Sequence, residues 1–223
     1  HLISKGLELM IKKDPKFVSR GGEKLLGALE AFPLQIQERI CLDAGISTGG
    51  FTDCLLQHGA ARVYGIDVGY GQTAWKLRND RRVILKERTN LRMLSTEQLY
   101  NSNDPFPTLA VADLSFISLR LVLPVIKSLL DPVTPEGLLL VKPQFEVGRG
   151  RVGKGGVVRD PRAHVDVLKT LICSAKDIGW HLNGLVGSPL IGPAGNHEYL
   201  MWLGIEMIED LPDIEEIVLQ TMS

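Results

Sequence analysis

An α/β fold, with a mostly parallel seven-stranded sheet and helices on both of its faces, is the architecture this sequence predicts. Three observations carry that prediction. Seven short apolar runs alternate with segments of helical periodicity, and repeated βα units build a parallel sheet covered on both sides. One run, Leu138–Val141 behind Gly137, contains no polar residue at all, as a strand buried on both faces requires. A glycine-marked turn, Gly45-Ile46-Ser47-Thr48-Gly49-Gly50, joins the first run to a helix. In that Rossmann-like arrangement free backbone N–H groups point at whatever lies above the strand.

Taken in order, a weak helical pattern over 2–13 is broken by Asp14-Pro15. Ser19-Arg20-Gly21-Gly22-Glu23-Lys24 opens a helix bearing Leu25, Leu26, Leu29 and Phe32, with Ser19 or Gly21 as its cap and Lys24 in its first turns. Ile40-Cys41-Leu42 is the first strand, and Phe51 to His58 is the helix beyond the turn, stopped by Gly59. Arg62–Asp67 and Val83–Leu85 are strands around a short helix at Trp75–Asn79, and Ser95 caps a brief helix to Tyr100. Leu109–Ala112 is the fourth strand, a helix runs through Leu121–Leu130, and Gly137–Val141 is the fifth strand. Asp160 caps and Pro161 begins a helix to about Ile178, with Val165, Leu168, Leu171 and Ile172 on one face. Trp180–Val186 and Tyr199–Leu203 complete the sheet. Before that last helix, Gly148 to Arg159 is glycine-rich, basic and long for a βα loop, which predicts a mobile segment that closes on a substrate. Residues 1–18 are expected to be a linker, 19–205 the folded domain and 206–223 an acidic tail.

Composition excludes several classes. With 44% apolar residues in 223, the chain buries one substantial core. The longest apolar stretch, Leu109 to Leu130, is interrupted by Asp113, Arg120 and Lys127, so no membrane span or membrane partner is expected. Cys41, Cys54 and Cys173 are far apart and in apolar contexts. They read as reduced core thiols of a cytoplasmic protein, and no metal is expected. The net charge of −1 conceals six acids and no Lys or Arg in the last eighteen residues, leaving +5 on residues 1–205. Basic residues gather at Lys12, Lys13, Lys16, Arg20 and Lys24, and again at Lys142, Arg149, Arg151, Lys154, Arg159 and Arg162. A phosphate-contacting face and a solvated surface account for these equally well.

The turn selects its ligand by spacing. Dinucleotide sites use G-x-G-x-x-G, which disfavours a nicotinamide enzyme here. This chain has D-x-G-x-x-x-G-G, in which Asp43, Gly45, Ser47, Gly49, Gly50 and Phe51 frame a pocket with an acid on the strand. Asp67 ends the second strand, the position from which a carboxylate accepts two ribose hydroxyls. A ligand that is part nucleoside and part amino acid fits both, and S-adenosylmethionine is such a ligand. Asp43, Asp67, Asp113 and Lys142 all stand at strand ends, where the catalytic edge of an open α/β sheet lies.

Arg20…Lys24, the D-x-G-x-x-x-G-G-F turn, Ala112-Asp113-Leu114, Val141-Lys142-Pro143-Gln144-Phe145-Glu146 and Asn196-His197-Glu198-Tyr199 resemble the FtsJ-type ribose 2′-O-methyltransferases. S-R-G-G-E-K-L, D-L-S-F-I-S, V-K-P-Q-F-E-V-G and K-G-G-V-V-R-D-P resemble more closely the TlyA family, whose members are often labelled haemolysins. The likeness runs from about Ser19 to Leu203. It implies an S-adenosylmethionine-dependent methyltransferase fold, cytidine 2′-O-methylation of ribosomal RNA, and a catalytic tetrad of Lys24, Asp113, Lys142 and Glu198. It also implies that Asp113 lies close to the transferred methyl and Asn90 beside the adenine. Within the two basic groups, Arg20, Arg149, Arg151, Lys154 and Arg159 are the expected contacts to ribosomal RNA or ribosomal subunits. Family members usually begin with a small RNA-binding domain, of which residues 1–18 would be at most the trailing linker. Lys142 could take the hydroxyl proton as a neutral amine or meet the developing alkoxide as an ammonium, and these two roles stay open. A membrane-active haemolysin would need an exposed apolar hairpin or amphipathic helix, which the sequence lacks. A non-catalytic RNA-binding relative is disfavoured because all four tetrad types are present.

Overall fold

The computed structural model describes residues 15–209, 211 and 213–223; the pattern over 2–13, with Lys12 and Lys13, lies outside them. Strands β1 (Ile40–Ala44), β2 (Arg62–Ile66), β3 (Val83–Lys86), β4 (Leu109–Ala112), β5 (Glu136–Val141), β6 (His181–Gly187) and β7 (Tyr199–Gly204) form one sheet in the order β3-β2-β1-β4-β5-β7-β6. Six strands run the same way and β7 runs against them between β5 and β6. Chain order reverses at β1, so the connections leaving β1 and β4 diverge and open a crevice at their carboxyl ends.

Successive residues of a strand face opposite sides of the sheet, and the core divides accordingly. Cys41, Val63, Val111, Leu138 and Leu140 pack under α1 (Gly21–Ala31) and α2 (Gly50–Gln57), against Leu25, Ala28, Phe51 and Leu55. Leu42, Tyr64, Ala110, Leu139 and Met201 face the other way. The short α3 (Trp75–Arg78) sends Leu77 into the first layer; α4 (Thr96–Leu99), α5 (Leu123–Ser128), α6 (Pro143–Glu146), α7 (Pro161–Asp177) and α8 (Ile214–Met222) complete the chain. Ile126 of α5, Leu168 and Leu171 of α7 and Val218 of α8 fill this second layer.

Several expectations change in three dimensions. Neither Ser19 nor Gly21 caps α1: Arg20 holds the cap position in helical geometry with no side-chain hydrogen bond. The two helix ends approach closely here: a Cβ on Gly50 at the start of α2 would lie 2.8 Å from the backbone nitrogen of Gly22. The segment expected as one helix through Leu130 is a 3₁₀ turn, Leu119–Leu121, followed by α5, with Pro124 in the first turn of α5. Cys41 and Cys54 are core thiols, but Cys173 is exposed, because it sits across α7 from Leu171 and Ala175. The acidic stretch after 205 ends in α8, capped by Asp213 through the backbone N–H groups of Glu215 and Glu216. Its Glu215 pairs with Lys169 of α7 at 3.0 Å. Among the described residues no helix is long and apolar enough to cross a membrane.

Candidate functional site

The turn after β1 is built for close approach. Gly45 has φ 93° and Gly49 φ 100°, the left-handed region that side chains disfavour, and a Cβ on Gly45 would lie 2.6 Å from Leu114 Cδ2. Asp67 Oδ2 accepts from the Ser47 N–H at 2.7 Å and Oδ1 from the Gly69 N–H at 2.7 Å. Each oxygen keeps a further lone pair for a ligand. Gly45, Ser47, Asp67, Thr89, Asp113 and Lys142 line part of a cavity of about 420 Å³. Gly50, Phe51 and Asp43 border a crevice that continues beneath it. Asn90 is not in this wall: its side chain accepts from Arg92 N to cap the turn Leu91–Met93, and its neighbours Thr89 and Leu91 face the cavity instead.

Asp43 is fully buried. Its Oδ2 accepts from Thr52 N at 3.1 Å and Thr52 Oγ1 at 2.6 Å, while Oδ1 has no hydrogen-bond partner among the described residues. Burial pushes the carboxyl up to about 7, against the Thr52 bonds and aided by the nearby Asp113 and Asp67 charges. A raised carboxyl pKa favours folding below the unfolded value and loses that advantage as pH rises to the folded one. Stability is therefore expected to fall between about pH 4 and 7, with a limiting slope of about 1.4 kcal/mol per pH unit. Urea unfolding of the wild type and Asp43→Asn at pH 5 and pH 7.5 tests this; a variant with an unchanged pH dependence would refute it.

A second cavity, of about 810 Å³, holds Lys24, Asp113, Lys142 and Glu198 in one wall. Lys24, in the first turns of α1, is 6% exposed and donates to Glu198 Oε2 at 2.5 Å; Glu198 is 2% exposed. Lys142 Nζ lies 2.6 Å from Asp113 Oδ1 and donates to Ser115 Oγ at 3.0 Å. Lys142 and Asp113 thus form an ion pair at the edge of both cavities. Glu198 reaches the site because β7 is antiparallel: Tyr199 pairs with Val141, so the start of β7 meets the end of β5. Ser47, Asp113, Ser115, Phe116 and Lys142 border both cavities. A donor in the first and an acceptor in the second would meet beside Asp113 and Lys142.

The expected RNA contacts are spread more widely. Arg20 lies at the rim of the larger cavity and donates to Ile191 O at 2.9 Å. Arg151 turns away from it toward α7, 2.8 Å from Asp166 and 3.8 Å from Asp160. Lys154 and Arg159 are exposed, and Gly155 and Gly156 between them line the cavity; Arg149 belongs to the turn Arg149–Arg151. Asn196 anchors this loop, accepting from Val158 N at 3.0 Å and donating to Gly156 O at 2.9 Å. Ser115, Phe116, Gln144 and Asn196 escaped the reading of the sequence as site residues. Phe116 is 91% exposed at φ 65°, its ring 5.1 Å from that of Phe145, and an aromatic three residues past a strand-end acid was the available signal.

The family model described as FtsJ-like methyltransferase matches residues 17–205. The chain belongs to the FtsJ-like methyltransferases. It is 50% identical over 200 residues to the 16S/23S rRNA (cytidine-2′-O)-methyltransferase TlyA of Mycobacterium tuberculosis, covering 88% of this chain and 72% of that one. A solved protein from Lactococcus lactis described as a hemolysin superposes with TM-score 0.87 at 40% identity, over 93% of this FtsJ-like chain and 99% of its own. The S-adenosylmethionine dependent methyltransferase of Mesorhizobium loti shares the fold, at TM-score 0.57 and 14% identity, covering 81% and 97%.

Proposed function

We propose that this FtsJ-like methyltransferase transfers a methyl group from S-adenosylmethionine to the ribose 2′-hydroxyl of a cytidine in ribosomal RNA, free or in ribosomal subunits, in the cytoplasm. The observation that carries the reading is the meeting of two cavities at Asp113 and Lys142, with the Lys24–Glu198 pair in the wall of the larger one. The 50% identity to TlyA supports the choice of RNA and of cytidine.

The residues of the first cavity suit the cofactor. Asp43 Oδ1 is a buried acceptor without a partner among the described residues, placed for the cation of an amino acid. Asp67 retains acceptor capacity for ribose hydroxyls, and Gly45, Ser47, Gly49 and Gly50 leave the backbone open to close approach. S-Adenosylmethionine, when bound, supplies an electrophilic methyl group on a sulfonium sulfur. The protein then has to align an oxygen behind that methyl and dispose of one proton. Lys142, with Asp113 beside it, would serve that oxygen in one of two ways, by taking the hydroxyl proton as an amine or by meeting the developing alkoxide as an ammonium. Lys24 and Glu198 present one donor and one acceptor to the ribose. Phe116, exposed at the junction, offers a face on which the base can stack.

The test is incubation of the purified protein with radiolabelled S-adenosylmethionine and ribosomal subunits, followed by nuclease digestion. Label in 2′-O-methylcytidine is the expected result. Label confined to a base, or no transfer to RNA, would overturn the reading.

A further inference from the structure

The loop carrying Asp113 and the segment carrying Lys142 come from different strands, yet their side chains meet at 2.6 Å. We propose that Glu146 is the positioning residue that sets this approach; the proposal rests on Lys142 acting at the ribose oxygen. Lys142 immediately precedes α6, whose Pro143 fixes the first helical φ, and Glu146 closes that single turn. Lys142 and Glu146 thus belong to one short, stiff unit. From its far end Glu146 grips the other loop with both oxygens: Oε2 accepts from Ser118 Oγ at 2.6 Å and Oε1 from Leu119 N at 2.8 Å. Ser118 Oγ in turn accepts from Arg120 N at 3.2 Å, so its hydrogen is directed at the carboxylate.

The loop is therefore held at two points, Asp113 and Ser115 against Lys142, and Ser118 and Leu119 against Glu146. Between them Phe116 adopts φ 65°, a left-handed conformation that a phenylalanine leaves when released. The Phe116 ring rests on Phe145, within the same turn as Glu146. Without the grip of Glu146, Phe116 relaxes and carries Ser115 Oγ away from Lys142 Nζ. Glu146 borders neither of the two site cavities, so it acts through Lys142 and Asp113 and touches no reacting atom.

The test is single-turnover methyl transfer, cofactor affinity, RNA affinity and thermal unfolding for wild type, Glu146→Ala, Glu146→Gln, Ser118→Ala and the double variant Glu146→Ala/Ser118→Ala. An ångström of misplacement is worth up to about a hundredfold in rate. Glu146→Ala is expected to slow transfer about tenfold to thirtyfold, with both affinities within about threefold of wild type. Glu146→Gln should recover most of the rate, because its amide still accepts from Leu119 N and the Ser118 hydroxyl can turn to accept from the amide nitrogen. Ser118→Ala should add little to Glu146→Ala, since both remove one contact. Wild-type turnover in Glu146→Ala, a rate loss matched by loss of cofactor binding, or additive effects would overturn the proposal. If Glu146→Ala does not fold, the rates of Glu146→Gln and Ser118→Ala decide: a loss of about threefold to fivefold in Ser118→Ala beside near-wild-type Glu146→Gln supports it, and any other pattern overturns it. Wild-type protein that methylates no RNA would instead refute the assignment of Lys142.

Discussion

Replacing Lys142 by alanine is expected to slow methyl transfer to RNA by about a hundredfold or more, while S-adenosylmethionine affinity stays within about threefold. The asymmetry follows from position: Lys142 borders both cavities, but Asp67, Asp43 and the glycine turn provide the polar framework on the side proposed for the cofactor. Lys142→Arg separates the two roles of the side chain. Arginine keeps the positive charge but does not give up its proton at accessible pH. A base role predicts that arginine is as slow as alanine; a charge-stabilising role predicts a substantially active arginine variant. Wild-type turnover in Lys142→Ala would remove this residue from the reaction altogether.

Glu198→Ala is expected to be the more damaging change for stability. It leaves the ammonium of Lys24, itself 6% exposed, buried without its partner, at a cost of about 3–5 kcal/mol. Glu198→Gln keeps an acceptor at the same place and should cost less. The double variant Lys24→Met/Glu198→Leu replaces the pair by apolar groups and is expected to restore most of the stability without restoring methyl transfer. Urea unfolding with parallel single-turnover assays reads both quantities. A double variant as unstable as Glu198→Ala would show that the ion pair is not the source of the loss, and an active double variant would exclude the pair from the reaction.

The same pair marks the boundary of what linear order can tell. Asp43 and Asp67 are legible as candidate site residues because each ends a run whose strand character is local and ligands of open α/β sheets lie at the carboxyl ends of the strands. Glu198 precedes its strand, and local pattern does not assign a strand's direction. The resemblance to a known family brought Glu198 forward; the antiparallel pairing of β7 with β5 supplies the physical reason. Asn90 and Arg151 show the opposite case. Their residue types suit adenine and phosphate, but Asn90 caps a turn and Arg151 lies against two acids near and on α7, partners set by short-range geometry and by packing.

Periodicity, turn chemistry and strand-end acids are properties of a few adjacent residues, and they determined the seven strands, the glycine turn and the class of ligand proposed for it. Which groups face one another across the cleft depends on how distant segments pack. The union of Lys24 with Glu198, 174 residues apart, the anchoring of the Asp113 loop by Glu146 and the left-handed Phe116 were decided only there. Side-chain ion pairs and hydrogen bonds of this kind are selected by the space the assembled sheet and helices leave, and that space exists only once the layers have closed.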